Sequence, residues 1–113
     1  YFKEGRFFEI PGDKSPLGMH QKRIVSQFTT HEVALDQPVR CYLFSDGYQD
    51  QFGQATGRKF LSSRLRRLLI DAQPLAFPDQ KRKVEHEFHE WKGQERQLDD
   101  VMMLGFEVGP DAL

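Results

Sequence analysis

Six consecutive residues, Val39-Arg40-Cys41-Tyr42-Leu43-Phe44, form a short, mostly apolar run that stops at Ser45-Asp46-Gly47. A run this brief, ended by a tight turn, reads as a β-strand buried on both faces. The rest of the chain must then supply the pairing strands and the covering layer.

Arg6-Phe7-Phe8-Glu9-Ile10 has the pattern of a first strand, closed by the turn-rich loop 11–18 (Pro11-Gly12-Asp13-Lys14-Ser15-Pro16-Leu17-Gly18). Residues 24–36, with the β-branched and apolar stretch Phe28 to Leu35, predict a second strand that Asp36-Gln37-Pro38 breaks. After a glycine-bearing loop at 47–57 the apolar period lengthens. Phe60, Leu61, Leu65, Leu68, Leu69 and Ala72 share one face of an amphipathic helix that Gln73-Pro74 ends. A second helix is expected from Pro78-Asp79, with Val84, Phe88 and Trp91 inward and Gly93 as its stop. Val101 to Val108 reads as a last strand before Gly109-Pro110. The order β-β-β-α-α-β implies an α+β fold in which two helices pack on an antiparallel sheet. Four strands or so leave sheet edges open, which predicts recruitment of a second copy or another partner.

At 113 residues the whole chain, 1–113, fits one domain. The 38% apolar content supports a modest core. Sixteen basic against seventeen acidic side chains create no net field for nucleic acid or an anionic membrane, so neither is an expected partner. Cys41 is the single cysteine; internal disulfides and a cysteine zinc cage are excluded, and a reducing, cytoplasmic setting fits. No apolar stretch reaches the roughly 18 to 20 residues that span a bilayer. A start at Tyr1 predicts a piece of a longer protein, one that elsewhere could carry a membrane anchor.

Asp46 lies at the C-terminal end of one apolar strand and Asp99-Asp100 at the N-terminal start of another. Were those strands antiparallel neighbours, both sets of carboxylates would reach the same end of the sheet. Clustered carboxylates repel unless a cation lies among them, and hard oxygen donors favour Mg²⁺ or Mn²⁺. Gly47 would let the chain turn sharply and keep bulk away from an ion or phosphate. Spacing alone favours a plainer reading, because Asp-Gly pairs are commonest in ordinary turns.

Other features carry less. His86 and His89 fall opposite the Val84/Phe88/Trp91 stripe and read as solvated, and Gly53 to Lys59 lacks the spacing of a phosphate loop. Arg64, Arg66, Arg67 and Lys81-Arg82-Lys83 fit the polar faces of the two helices, with an acidic protein partner as the alternative.

The stretch Tyr42-Leu43-Phe44-Ser45-Asp46-Gly47-Tyr48-Gln49-Asp50-Gln51-Phe52-Gly53 resembles the aspartate-glycine motif of the type-2C-like metal-dependent phosphatases, in the form found in SpoIIE-type bacterial regulators. Gly12 to Gly18 is similar to the loop that precedes that motif. Trp91-Lys92-Gly93 and Gln97-Leu98-Asp99-Asp100-Val101 are similar to the family's closing motif. The resemblance implies the C-terminal part of an αββα phosphatase sandwich. It implies hydrolysis of phosphoserine or phosphothreonine at a two-metal Mn²⁺ or Mg²⁺ centre, in phosphoprotein substrates such as anti-anti-sigma-type regulators. By the same resemblance Asp46 and Asp99 are ligands, Asp100 orients, and Asp50 matches an acidic position that helps hold an additional weak metal. The family's earlier Asp-Gly motif is missing. The implied centre therefore needs the upstream half of its own domain, and this piece alone is expected to show little or no turnover. The rival reading is a non-catalytic interaction or self-associating module.

Overall fold

The computed structural model describes residues 1–14 and 27–112. Residues 15–18 of the expected loop and 24–26 of the expected second strand lie outside them.

A hairpin opens the chain. Strands β1 (Phe2–Lys3) and β2 (Arg6–Phe7) are joined by Glu4 and Gly5, both at positive φ. A two-residue loop of that kind matches the right-handed twist of the strands it connects. Strand β3 (Val39–Phe44) pairs antiparallel with β1 on one side and with β4 (Met103–Val108) on the other, giving the order β2-β1-β3-β4. The β3–β4 ladder is the longest, running from Val39↔Val108 to Phe44↔Met103.

The element order β-β-β-α-α-β is the expected one, with one exchange of members. Within 27–36 no strand forms; the β1–β2 hairpin supplies the extra strand instead. Strand β4 pairs along all of β3 and β1 pairs with its first two residues, Val39 and Arg40, while the 27–36 segment joins no ladder. It is held through side chains: Lys3 Nζ donates to Ala34 O and pairs with Asp36, and Asp13 accepts from the Thr29 amide (2.6 Å) and hydroxyl (3.0 Å). Those bonds, the amide's first, hold the Asp13 carboxyl below its ordinary pKa.

Helices α1 (Ser62–Ala72) and α2 (Phe77–Lys92) cover one face of the sheet. The core between the layers is Phe2, Tyr48, Phe60, Leu65, Leu68, Leu69 and Phe88, flanked by Phe7, Tyr42, Val84, Trp91, Val101 and Met103. Burying each such side chain is worth about 1.5–3 kcal/mol, whereas an exposed ion pair such as Arg67–Asp71 or Lys81–Glu85 is worth about 0–1. The apolar stripes therefore decide the layer packing.

The α1–α2 connection is fixed to the sheet by polar groups. Carbonyls at a helix C-terminus lack intrahelical donors, and here Arg40 of β3 donates to Gln73 O and Leu75 O while its guanidinium sits 5.1 Å from the Phe77 ring centroid. The buried Gln80 carboxamide donates to the same two carbonyls and accepts from the Tyr42 hydroxyl at 2.7 Å.

Two expectations are corrected. Strand β3 is covered by helices on one face only: on the other, Val39 at its start is fully buried, but Leu43 is 59% exposed, beside Leu104 at 53% and Phe106 at 36%. Both α-helices lie on the Tyr42 side; on the second face Lys3, the β1 partner of Val39, bonds to Ala34 O and Asp36. Leu61 does not join the helical stripe. It precedes α1 at φ 77, ψ 150, with its side chain 55% exposed.

That backbone region is close to glycine-only, and the exposed side chain gains little from packing. Leu61→Gly is expected to raise stability by about 1 kcal/mol, seen as a melting temperature higher by about 5 °C. A second expectation concerns alkaline pH. Tyr48, 1% exposed and donating to Val84 O at 2.8 Å, has its phenol pKa pushed well above the ordinary value by burial, with Glu87 adding to the rise. The fold thus favours the neutral phenol, so this stabilisation is complete below about pH 10 and declines as pH climbs beyond it. Denaturation across pH 8–11.5 should show that decline in the wild type and a shallower one in Tyr48→Phe, which at neutral pH loses about 1 kcal/mol with the hydroxyl's bond.

Candidate functional site

The β3–β4 ladder runs one step past its named strands. Ser45 N donates to Met102 O at 3.0 Å, Met102 N donates to Ser45 Oγ at 3.0 Å, and Ser45 Oγ donates to Asp100 O at 3.3 Å. Because the pairing is antiparallel, the exit of β3 and the approach to β4 lie at the same end of the sheet. The connections carrying Asp46 and Asp99-Asp100 therefore adjoin, as the strand pattern implied.

Gly47 is the point of closest approach. A Cβ there would stand 2.1 Å from Asp100 O and 2.9 Å from Asp100 C, a backbone collision no rotamer can relieve. Any other residue at 47 would push the two loops apart. From Asp46 the chain makes a helical turn, Asp50 N donating to Asp46 O at 3.0 Å. Asp50 itself faces Lys59, Nζ to Oδ1 3.5 Å, with both side chains substantially exposed. Across the junction, Asp99 Oδ1 accepts from Asp100 N at 2.7 Å and Asp99 O accepts from Gln97 Nε2 at 3.0 Å. Residues Gln97 to Asp100 line a small polar cleft of about 300 Å³.

The donor set fits a hard divalent cation in kind, since all the candidates are carboxylates. It falls short in number. Among the described residues no three His, Cys, Asp or Glu side chains form a group that could hold a metal ion. His86 and His89 are both exposed on α2 and do not join the carboxylates.

The loop from Asp46 to Phe60 is stapled to the end of α2. Trp91 Nε1 donates to Gln51 O at 2.9 Å, and Gly53 lies flat against the indole, where a Cβ would meet Cε2 at 2.6 Å. Arg64 of α1 also lies over the ring, 4.4 Å from its centroid. Gln54 N donates to Trp91 O at 3.2 Å, and Gln54 Oε1 accepts from Gln94 N at 2.7 Å. The Trp91-Lys92-Gly93 segment thus acts by holding the Asp46 loop. Sequence reasoning placed Trp91 in the helix stripe and in the closing motif without its bond to the Asp46 loop, and assigned no role to Ser45, Gln51 or Gln54. Loop residues have no periodicity to reveal what they touch.

Comparison with known proteins adds three findings. The family model for Stage II sporulation protein E (SpoIIE) matches residues 2–109. Among solved structures the chain is similar to the SiaA-PP2C domain of Pseudomonas aeruginosa, at 33% identity and a TM-score of 0.57 over 59% of this chain; it spans only 27% of that chain's length. No curated protein matches it.

The Gly47 contact can be tested directly. Gly47→Ala should destabilise the fold by about 1–3 kcal/mol, as overpacking against a rigid neighbour does. Gly109→Ala, where an added Cβ meets nothing within 4 Å, should stay within about 0.5 kcal/mol in the same denaturant titration.

Proposed function

This chain belongs to the SpoIIE family, and on that basis we propose that it forms part of a metal-dependent phosphatase that hydrolyses phosphoserine or phosphothreonine in proteins. The observation that supports the reading best is the junction of the two loops: the β3–β4 register sets Asp46 beside the Asp99-Asp100 segment, with Gly47 against Asp100 O. In this reading Asp46 and Asp99 are ligands to Mn²⁺ or Mg²⁺. Asp100 orients its neighbour by accepting the Ser45 hydroxyl at its carbonyl and donating its amide to Asp99. Asp50 belongs to a weaker, additional position, which requires release from Lys59. Divalent ions at such a site supply a more acidic attacking water and neutralise charge on the phosphoryl oxygens.

Two carboxylate loops do not complete a bridged pair of ions, and the remaining ligands come in this reading from the upstream half of the domain. That half would also cover the apolar face of Leu43, Leu104 and Phe106. The 113 residues alone would then turn over little or nothing. The substrate class, phosphorylated regulators of the anti-anti-sigma type in bacterial signalling, follows from the family resemblance, and a cytoplasmic location from the single cysteine, Cys41. Among the described residues no helix is long and apolar enough to cross a membrane. The same exposed face favours a second reading, an interaction module in which the face docks a partner or another copy without catalysis.

The test is hydrolysis of p-nitrophenyl phosphate by the full-length protein as Mn²⁺ is titrated, with Mn²⁺ binding followed separately by electron paramagnetic resonance. Asp46→Asn and Asp99→Asn are each expected to lower kcat/KM roughly 100-fold or more and to weaken Mn²⁺ binding. Unchanged activity and binding in both variants would falsify the ligand assignment and leave the interaction reading.

A further inference from the structure

The ties at Ser45 and Gly47 join the two carboxylate loops at their exposed end; a second tie joins them at depth. Gln51 is 2% exposed, a costly position for a carboxamide unless its hydrogens are accepted. Both are. Nε2 donates to Phe52 O at 3.0 Å, within the Asp46 loop, and to Arg96 O at 3.0 Å, three residues before Asp99. The carbonyl of the same residue accepts from Trp91 Nε1 and from Phe60 N, each at 2.9 Å. Residue 51 is therefore where the Asp46 loop, the end of α2, the start of α1 and the Asp99 loop are bonded together.

We propose that Gln51 is a positioning residue: its buried carboxamide sets the Asp99-Asp100 loop against the Asp46 loop, without contacting substrate or ion. Donor count sets this side chain apart. A carboxamide nitrogen has two hydrogens and can hold two backbone carbonyls from different segments at once, which neither an apolar side chain nor a carboxylate of the same shape can do. Removing it leaves the 93–97 stretch joined to the Asp46 loop chiefly through Gln54 and Gln94. Residues 97–100 then lose the constraint nearest to them on their N-terminal side. The link to ion binding rests on the phosphatase reading; the link between the loops does not.

The experiment compares Gln51→Met, which keeps length and apolar bulk, with Gln51→Glu, which keeps shape and removes the donors, both in the full-length protein. Amide hydrogen exchange is the primary measurement. Positioning predicts exchange of residues 96–100 faster by about tenfold or more, with protection in α1, α2 and β3 unchanged. Faster exchange throughout the domain in whichever variant folds would show a merely structural role and overturn the proposal, and so would unchanged exchange at 96–100. Mn²⁺ binding by electron paramagnetic resonance, without substrate, should weaken about tenfold in Gln51→Met. If the loop loosens while Mn²⁺ affinity holds, the effect on the site is refuted. Asp46→Asn in the same assay reports on the phosphatase reading separately, so the two failures can be told apart.

Discussion

The antiparallel pairing of β3 with β4 is the constraint on which the rest of this structure depends. Six cross-strand pairs, from Val39↔Val108 to Phe44↔Met103, fix which residues face the helices and which ends of the two strands coincide. With period-two alternation, a one-residue slip would turn one strand over relative to the other, taking either Tyr42 or Met103 away from the core and bringing Leu43 or Leu104 into it. The slip would also separate Ser45 from Met102, and with it the junction of the carboxylate loops. Packing and site geometry thus share one determinant.

Polar groups refine what the apolar stripes decide. Arg40 and Gln80 satisfy the carbonyls that end α1, and so place the α1–α2 connection over the sheet. Gln51 and the Trp91 indole do the same for the connection between β3 and α1. Arg40 also pairs with Glu107, but what these groups share is a donor aimed at a backbone carbonyl. Where such a carbonyl is buried, an unmade bond would cost about 1–3 kcal/mol. Loops held this way can present carboxylates in a repeatable geometry without belonging to a helix or strand.

The division between the sheet's two faces bears on function. One is closed by α1 and α2; the other exposes Leu43, Leu104 and Phe106 in this chain. The match to the SiaA-PP2C domain takes in 27% of that chain. In the phosphatase reading proposed above, the segment that would complete the ligands would also cover this face.

The sequence by itself determined the strand at 39–44, both helices with their stops at Gln73-Pro74 and Gly93, the last strand, and the pairing that would bring Asp46 toward Asp99. Those features rest on periodicity and turn chemistry, which are local and can be read along the chain. Only the tertiary structure decided that a Phe2–Phe7 hairpin rather than residues 27–36 pairs beside β3, because the claim on that edge is settled by competition between distant segments. It also decided that β3 is covered by helices on one side, that Leu61 turns outward, and that Gly47 lies against Asp100 O. Gln51 was the least legible of all. In a loop no pattern separates a solvated glutamine from a buried one, and its role exists only once Arg96 O, 45 residues away, arrives beside it.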